Sequence, residues 1–433
     1  MRAVTRRLLP FLMLCFAVAY LDRSNIAFAA LQMNEDLKLT ASAFGFGAGL
    51  FFVGYCLFEV PSNIMLQRVG ARRWIARIML TWGLLAGAMA FVWNDTSFYV
   101  MRFLFGAAEA GFYPGVIYYL SRWYPAAHRG RVIGYFMAAV PISGMIAAPL
   151  SGALLSLDGY GGLQGWQWLF IVEAAPAVLL APVALRLLTE SPQEAVWLRT
   201  EHREWLVRRL AVEATRAEAS KHGNAQARSV LSILSQPLIL ALCAVYFVNV
   251  SLNNAVSFFM PMAIKQAGLS DMQTGVAAVA PSFVALLGLI WWSRHSDQAN
   301  ERKWHVALAL IVGGSGLALA AMSTGVAPRL IGFSLALAGA YSATPCFWAM
   351  ATQSIHGRAA AGGIAVVSAV GMLGGFVMPS VIGVLADRTG TFATGQGFAA
   401  ALSLLAGLLL ATFWRGTTKA VSSADPSSDV AKC

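Results

Sequence analysis

Twelve apolar runs, each long enough to cross a bilayer, constrain this chain more than any other feature. A hydrocarbon core of about 30 Å needs roughly 20 helical residues at 1.5 Å each. Runs that meet this lie near residues 8–31, 44–66, 75–93, 97–120, 132–154 and 167–188, and again near 236–259, 274–293, 305–323, 330–350, 360–386 and 393–414. The chain is 58% hydrophobic and 12% charged, where soluble domains carry about 25% charged residues. The expected fold class is therefore an all-α membrane protein of twelve transmembrane helices, six before and six after a polar linker. The N-terminal bundle is expected at 1–188, a linker at 189–235, the C-terminal bundle at 236–416 and a disordered tail at 417–433. The linker holds most of the acidic residues, so it must lie outside the membrane. Its Trp197, Leu198, Trp205, Leu206 and Leu210 recur at near-helical spacing, which suggests an amphipathic helix on the membrane surface.

A net charge of +11 would point to nucleic acid in a soluble protein. Here its placement says otherwise. With the N-terminus in the cytosol, 25 of the 31 Lys and Arg fall on the cytosolic side, four (Lys38, Lys265, Arg329, Arg388) on the other, and two, Arg23 and Arg102, inside spans. A bias of this size follows the positive-inside rule and puts both termini in the cytosol. The excess charge is topology, and no nucleic-acid partner is expected. Five cysteines show no metal or disulfide spacing, so neither metal nor cofactor is expected. The basic start followed by an apolar run lacks a small-residue cleavage site and continues into Asp22 and Arg23, which reads as a retained first span.

Ionisable groups inside spans carry the functional signal. A charge in hydrocarbon costs roughly 2.5–3.5 kcal/mol on insertion scales, so such residues should face a protein partner or a water-filled cavity. Arg102 and Glu109 lie seven residues apart in RFLFGAAEAGFYPG, about two turns, on one helical face. Span 1 contributes Tyr20, Asp22 and Arg23, and span 2 contributes Tyr55. Counted from the outer boundary, Arg102, Asp22, Tyr55 and Glu109 lie about 8, about 14, about 16 and about 18 Å deep. Two arginines, two carboxylates and two tyrosines thus come to overlapping depths. A guanidinium presents a planar fork that matches a carboxylate bidentately, so two of them suit an organic anion. A carboxyl group removed from water has its charged form disfavoured, which brings proton loading and release within reach. The alternative is a pair of structural ion bridges, with Asp22 on Arg23 or Arg102 and Glu109 on the other arginine. Glu59 near the end of span 2 fits a structural or gating role, and Glu173 in span 6 fits a packing hydrogen bond. In the second half Asn249, Asn253 and Asn254 share a face of span 7, and Trp348 lies in span 10. Asn253 and Trp348 are candidates to meet substrate, with helix packing the other reading.

Two basic loops, QRVGARRW after span 2 and SRHSDQANERKWH after span 8, stand at equivalent positions of the two six-span units. Repeated halves point to a rocking transporter with its site between them near the midplane. At these loops, and at YLDRSNIAFAAL, RFLFGAAEAGFYPGVIYYLSRWYP and FWAMATQSIHGRAAAGGIAVVSAVGMLGGFVMP, the chain resembles the major facilitator superfamily and, within it, the anion:cation symporter family. The resemblance covers nearly the whole chain. It implies twelve transmembrane helices in two six-helix bundles, alternating access and proton symport of organic anions such as sugar acids, tartrate-like diacids or aromatic carboxylates, with no catalysis. It also implies that Arg23 and Tyr20 contact substrate, Tyr55 assists, Arg102 couples binding to protonation, and Asp22 and Glu109 carry protons. In span 11, where hydroxy-acid members usually offer asparagines, this chain has Ser368, Ala369 and Met372, which favours an anion with an apolar or aromatic body. The expected partners are a small organic anion, protons and the lipid bilayer, for a monomer in the cell inner membrane. Whether the carrier imports or exports is left open, with a proton-driven exporter as the alternative.

Overall fold

The computed structural model describes residues 1–221, 236–355 and 360–413. The expected tail and residues 222–235 of the expected linker lie outside these. Among the described residues all regular structure is helical. Span 1 is α1 (Arg2–Ser24) followed by α2 (Ile26–Asp36), and Asn25 between them keeps a helical φ of −59° and ψ of −27°. Span 2 is α3 (Ala41–Val69) and span 3 begins with α4 (Ala71–Ala88). Span 4 is divided into α5 (Asp95–Glu109) and α6 (Phe112–Trp123), and span 5 into α7 (Ala126–Met137) and α8 (Ala139–Leu155). Span 6 is α9 (Gly165–Leu187), and α10 (Thr200–Lys221) follows outside the bundle. The second half runs through α11 (Pro237–Lys265), α12 (Asp271–Ala277), α13 (Val279–Ala299), α14 (Lys303–Met322), α15 (Val326–Ser354), α16 (Ala360–Met372), α17 (Gly374–Thr389) and α18 (Phe392–Phe413).

Eleven helical stretches are long and apolar enough to cross a membrane. The run expected near 97–120 is the exception, because its helix breaks in the middle. Ala110 is extended at ψ 132°, and Gly111 takes φ +86°, a left-handed backbone in which a Cβ would be strained and would also strike the Ser62 side chain. With α5 and α6 taken end to end, twelve spans are present. Gly106 brings α5 close to the backbone of α3, where an added Cβ would meet the Phe51 carbonyl.

The two halves meet tightly at the end of the molecule far from Met1. There Gly152 of α8 crosses Gly275 of α12, and a Cβ on Gly275 would run into the Ala148 carbonyl. Lys265 Nζ lies 2.6 Å from Asp271 Oδ1 and donates to the Leu31 carbonyl at 3.1 Å. Gln32 Nε2 donates to Asp271 Oδ2 at 3.0 Å. The Asp387 carboxylate accepts from the amides of Ala41 and Ser42 at 2.9 and 3.0 Å, at the start of α3. Among the described residues, every hydrogen bond from one half to the other lies at this far end. The molecule is therefore closed there, in a conformation that leaves the halves free to part at the end bearing Met1. Asp387→Ala removes an acceptor worth about 1 kcal/mol net, so it is expected to move the balance roughly fivefold toward opening at the far end. Spin-label distances between Leu157 and Met322 should lengthen in that proportion, and an unchanged distance distribution would exclude the latch.

The linker helix differs from the expectation of a membrane-surface element. Leu206 is buried against the first half, and Glu213 accepts from the Ala126 amide at 3.0 Å, holding the start of α7. Trp197 and Leu198 precede α10 in a turn, with Trp197 stacked on Trp123 at 5.6 Å and covered by Arg7. Protein takes the apolar face that lipid was expected to take, and Trp205 alone of the aromatic pair remains half-exposed.

Candidate functional site

Adjacent residues on an α-helix point about 100° apart, so Asp22 and Arg23 cannot face the same cavity. The structure sends Arg23 toward α3 and α5. Its Nη2 donates to Glu109 Oε1 at 2.5 Å, the one salt bridge among the described residues that joins groups inside spans. The Arg23 guanidinium also sits over three rings, with centroids at 4.9 Å for Phe51, 5.4 Å for Tyr55 and 5.5 Å for Tyr20. Ring faces carry negative charge density, so this cage holds the cation while leaving part of its fork free. The Arg23 side chain keeps 18% of its surface exposed, while Glu109 keeps 2%. Of the two, the cation is the more accessible from the cavity.

Arg102 was expected beside Glu109 on one face of α5, and it is on that helix, but the two do not pair. Seven residues separate them by about 10 Å along the axis, so Glu109 reaches across to α1 instead. Arg102 is fully buried, donates from Nη2 to the Ala48 carbonyl at 3.2 Å, and leaves its Nε without a partner. It lies 5.2 Å from the centroid of Phe51, the ring that also carries Arg23. Phe51 thus packs against both guanidinium groups. Nothing in the sequence marked it out among 25 phenylalanines.

Asp22 faces the opposite way, into the first bundle, where it accepts from Trp82 Nε1 at 3.0 Å. Neither structural bridge imagined for it, to Arg23 or to Arg102, is present. Tyr20, Arg23 and Ser24 of α1 line a cavity between the halves together with Asn253 and Asn254 of α11 and Tyr341 of α15. Tyr20 from the first half and Tyr341 with Asn253 from the second thus present hydroxyl and amide groups to one cavity. Of the three asparagines in span 7, Asn249 is spent on packing, donating to Thr344 Oγ1 at 2.9 Å. Trp348 stands about two turns beyond Tyr341 on α15, against Tyr246 at 4.9 Å and Phe347 at 5.4 Å, as part of an aromatic wall outside this cavity. A larger crevice of about 610 Å³ between α6 and α10 holds Arg122 and Arg129, but the first faces Glu190 and the second is bonded to carbonyls. Neither is free for a ligand.

The cavity between the halves thus holds an aromatic-caged arginine with one buried acid on it, lined further by neutral hydroxyl and amide groups. Comparison with known proteins agrees with a carrier. The family model of the Major Facilitator Superfamily matches residues 12–379. The chain is similar to the "Putative tartrate transporter" of Agrobacterium vitis, 46% identical over 97% of this chain and 92% of that protein. It is similar also to the "Quinolone resistance transporter" of Acinetobacter baumannii, 40% identical over 94% of this chain and 93% of that one. Among solved structures, a D-xylose-proton symporter superposes with a TM-score of 0.74 at 16% identity, covering 95% of this chain and 98% of its own, which speaks for the fold alone. The family and these relatives are transporters, not enzymes, so the cavity is a passage and not a reaction site.

Proposed function

From the premise that this chain belongs to the Major Facilitator Superfamily, we propose that it carries a small organic carboxylate together with protons across the cytoplasmic membrane by alternating access. The observation that carries this reading is the Arg23–Glu109 pair, half-open to the cavity between the halves. With Glu109 ionised, the guanidinium is already neutralised and has little left for a substrate. Protonation of Glu109 cancels that pairing and frees the fork for a substrate carboxylate. Substrate and proton therefore favour each other's binding, which is what symport requires. Tyr20, Tyr55, Asn253 and Tyr341 supply hydroxyl and amide groups around the bound anion, and Trp348 closes the wall of its path. Arg102, buried behind the cavity beside Phe51, adds positive potential that keeps the cavity selective for anions.

The Lys and Arg bias supports both termini in the cytosol of a bacterial inner membrane, and the closed far end is then the outer one. Segments 1–188 and 236–416 would rock as the two halves about this site, joined by 189–235, with 417–433 as a tail and the monomer as the working unit. The name of the Agrobacterium relative puts tartrate first among candidate substrates, although Ser368, Ala369 and Met372 leave few partners for substrate hydroxyls. A thermal-shift panel of tartrate, sugar acids and aromatic carboxylates decides between these bodies. A ligand at 100 times its dissociation constant should stabilise by about 2.7 kcal/mol. A second reading, a proton-driven exporter, is favoured by the Acinetobacter relative. Uptake in right-side-out against inside-out vesicles separates the two. Accumulation driven by an inward proton gradient supports import, and loss of substrate under the same gradient supports export.

A further inference from the structure

Glu173 was expected to make an ordinary packing hydrogen bond, and it makes one: Ser151 donates to its Oε1 at 2.7 Å. What surrounds the rest of it is less ordinary. Glu173 and Asp22 are each 1% exposed, inside the first bundle and outside the lining of the substrate cavity. Asn25 is 1% exposed as well and lies beside the Glu173 carboxyl without a well-formed bond to it. Asp22 Oδ1, Glu173 Oε2 and both polar atoms of Asn25 are buried with no partner at all. Four unpartnered polar atoms converge from α1, the α1–α2 junction and α9. Among the described residues no lysine, arginine or histidine of α1, α2, α4 or α8 is bonded to either carboxyl, and the ionisable groups facing them are each other and, further off, Glu109.

We propose that Glu173, with Asp22 and Asn25, forms a second proton-binding site of the transport cycle, separate from the Arg23–Glu109 pair. The inference rests on the proton-coupled reading above. An ionised carboxylate in this pocket has one hydroxyl or indole donor and no counter-charge, which is costly. Protonation removes the charge and adds an O–H donor, which the free carbonyl oxygen of Asn25 or the facing carboxyl oxygen accepts. The site is tied to the cavity mechanically, because Asp22 and Arg23 are neighbours on one helix. A displacement of α1 that accompanies anion binding at Arg23 also shifts Asp22 against Glu173. Two protonation sites would let the carrier neutralise a dianion as well as a monoanion.

The test uses the full chain, purified and reconstituted. In acid-minus-alkaline infrared difference spectra without substrate, wild type should show a carboxylic C=O band that Glu173→Gln loses. In proteoliposomes with tartrate as the probe, the number of protons moved per substrate, read from the potential and pH gradient at which net flux vanishes, should fall by one in Glu173→Gln. A merely structural Glu173 predicts that Gln, which still accepts from Ser151, restores both readouts; an unchanged band with an unchanged proton count overturns the proposal. Transport driven by a sodium gradient in place of protons overturns it too. If Glu173→Gln does not fold, Ser151→Ala keeps the carboxyl and removes its donor, so the band must move in frequency, and a band that stays in place rejects the assignment. Absence of proton-driven flux in wild type defeats the parent reading, and the wild-type arm alone reports it.

Discussion

Glu109→Gln is expected to take one proton per substrate out of gradient-driven uptake while substrate-for-substrate exchange persists. The amide keeps the shape of the acid and can still accept from Arg23 through its carbonyl oxygen, but it cannot ionise. Arg23 is then permanently free of a competing carboxylate, as though Glu109 were always protonated. Substrate affinity should rise, because the charge-assisted bond that Glu109 withheld, on the order of 1.5–3 kcal/mol, is available to the anion, and it should lose the part of its pH dependence that comes from this acid. Exchange moves no net proton, so it needs no titration at this position. A structural bridge predicts otherwise: removing one partner of a buried pair costs about 3–5 kcal/mol, and both activities should fall together with a lower melting temperature. The short contact to a half-open arginine favours the first outcome, since Arg23 retains three ring faces and cavity access when the acid is gone. Gradient-driven uptake, counterflow and melting temperature measured on one reconstituted sample separate the cases. Gradient-driven uptake with an unchanged number of protons per substrate would remove Glu109 from coupling.

Arg23→Lys should lower substrate affinity by roughly 10–100-fold, the worth of one charge-assisted bond to a carboxylate. An ammonium retains the charge but not the planar fork, and it does not lie flat among Tyr20, Phe51 and Tyr55. Because lysine still neutralises Glu109, the fold should hold, and melting temperature should change little. Equilibrium binding by scintillation proximity or calorimetry reports the loss directly. Near-wild-type affinity would show that the anion is held elsewhere, with Arg102 the next candidate.

The sequence made the twelve spans and the intramembrane charges legible, because an apolar run of fixed length and an ion in lipid each leave few alternatives. It did not disclose which charges pair. Spacing along α5 puts Arg102 and Glu109 on one face, yet contact across helices depends on packing that spacing does not encode, and Glu109 is joined to α1 instead. The Asp22–Arg23 doublet invited a shared cavity, although a helix necessarily turns such neighbours apart. The break in span 4 had a signal in EAGFYPG, where glycine precedes proline by three residues, and a stricter reading of it would have placed Glu109 at a helix end. Phe51 and Tyr341 had none, being ordinary aromatic residues in an aromatic-rich chain. Only their position between charged or polar walls distinguishes them.

The start of α3 bears on how fast such a carrier can turn over. Two of its amides are lent to Asp387 in the opposite half, but the amide of Ala43 is held at 3.1 Å by Thr40 of its own segment, whose hydroxyl also meets Ser42 at 2.9 Å. When the halves separate, Ala41 and Ser42 exchange one acceptor for water, and Thr40 keeps the first turn wound. Nothing has to refold before the halves can meet again. The contact therefore behaves as a reusable clasp, and the slow step of each cycle is expected where bare backbones must be prised apart, along the seam of Gly152 and Gly275.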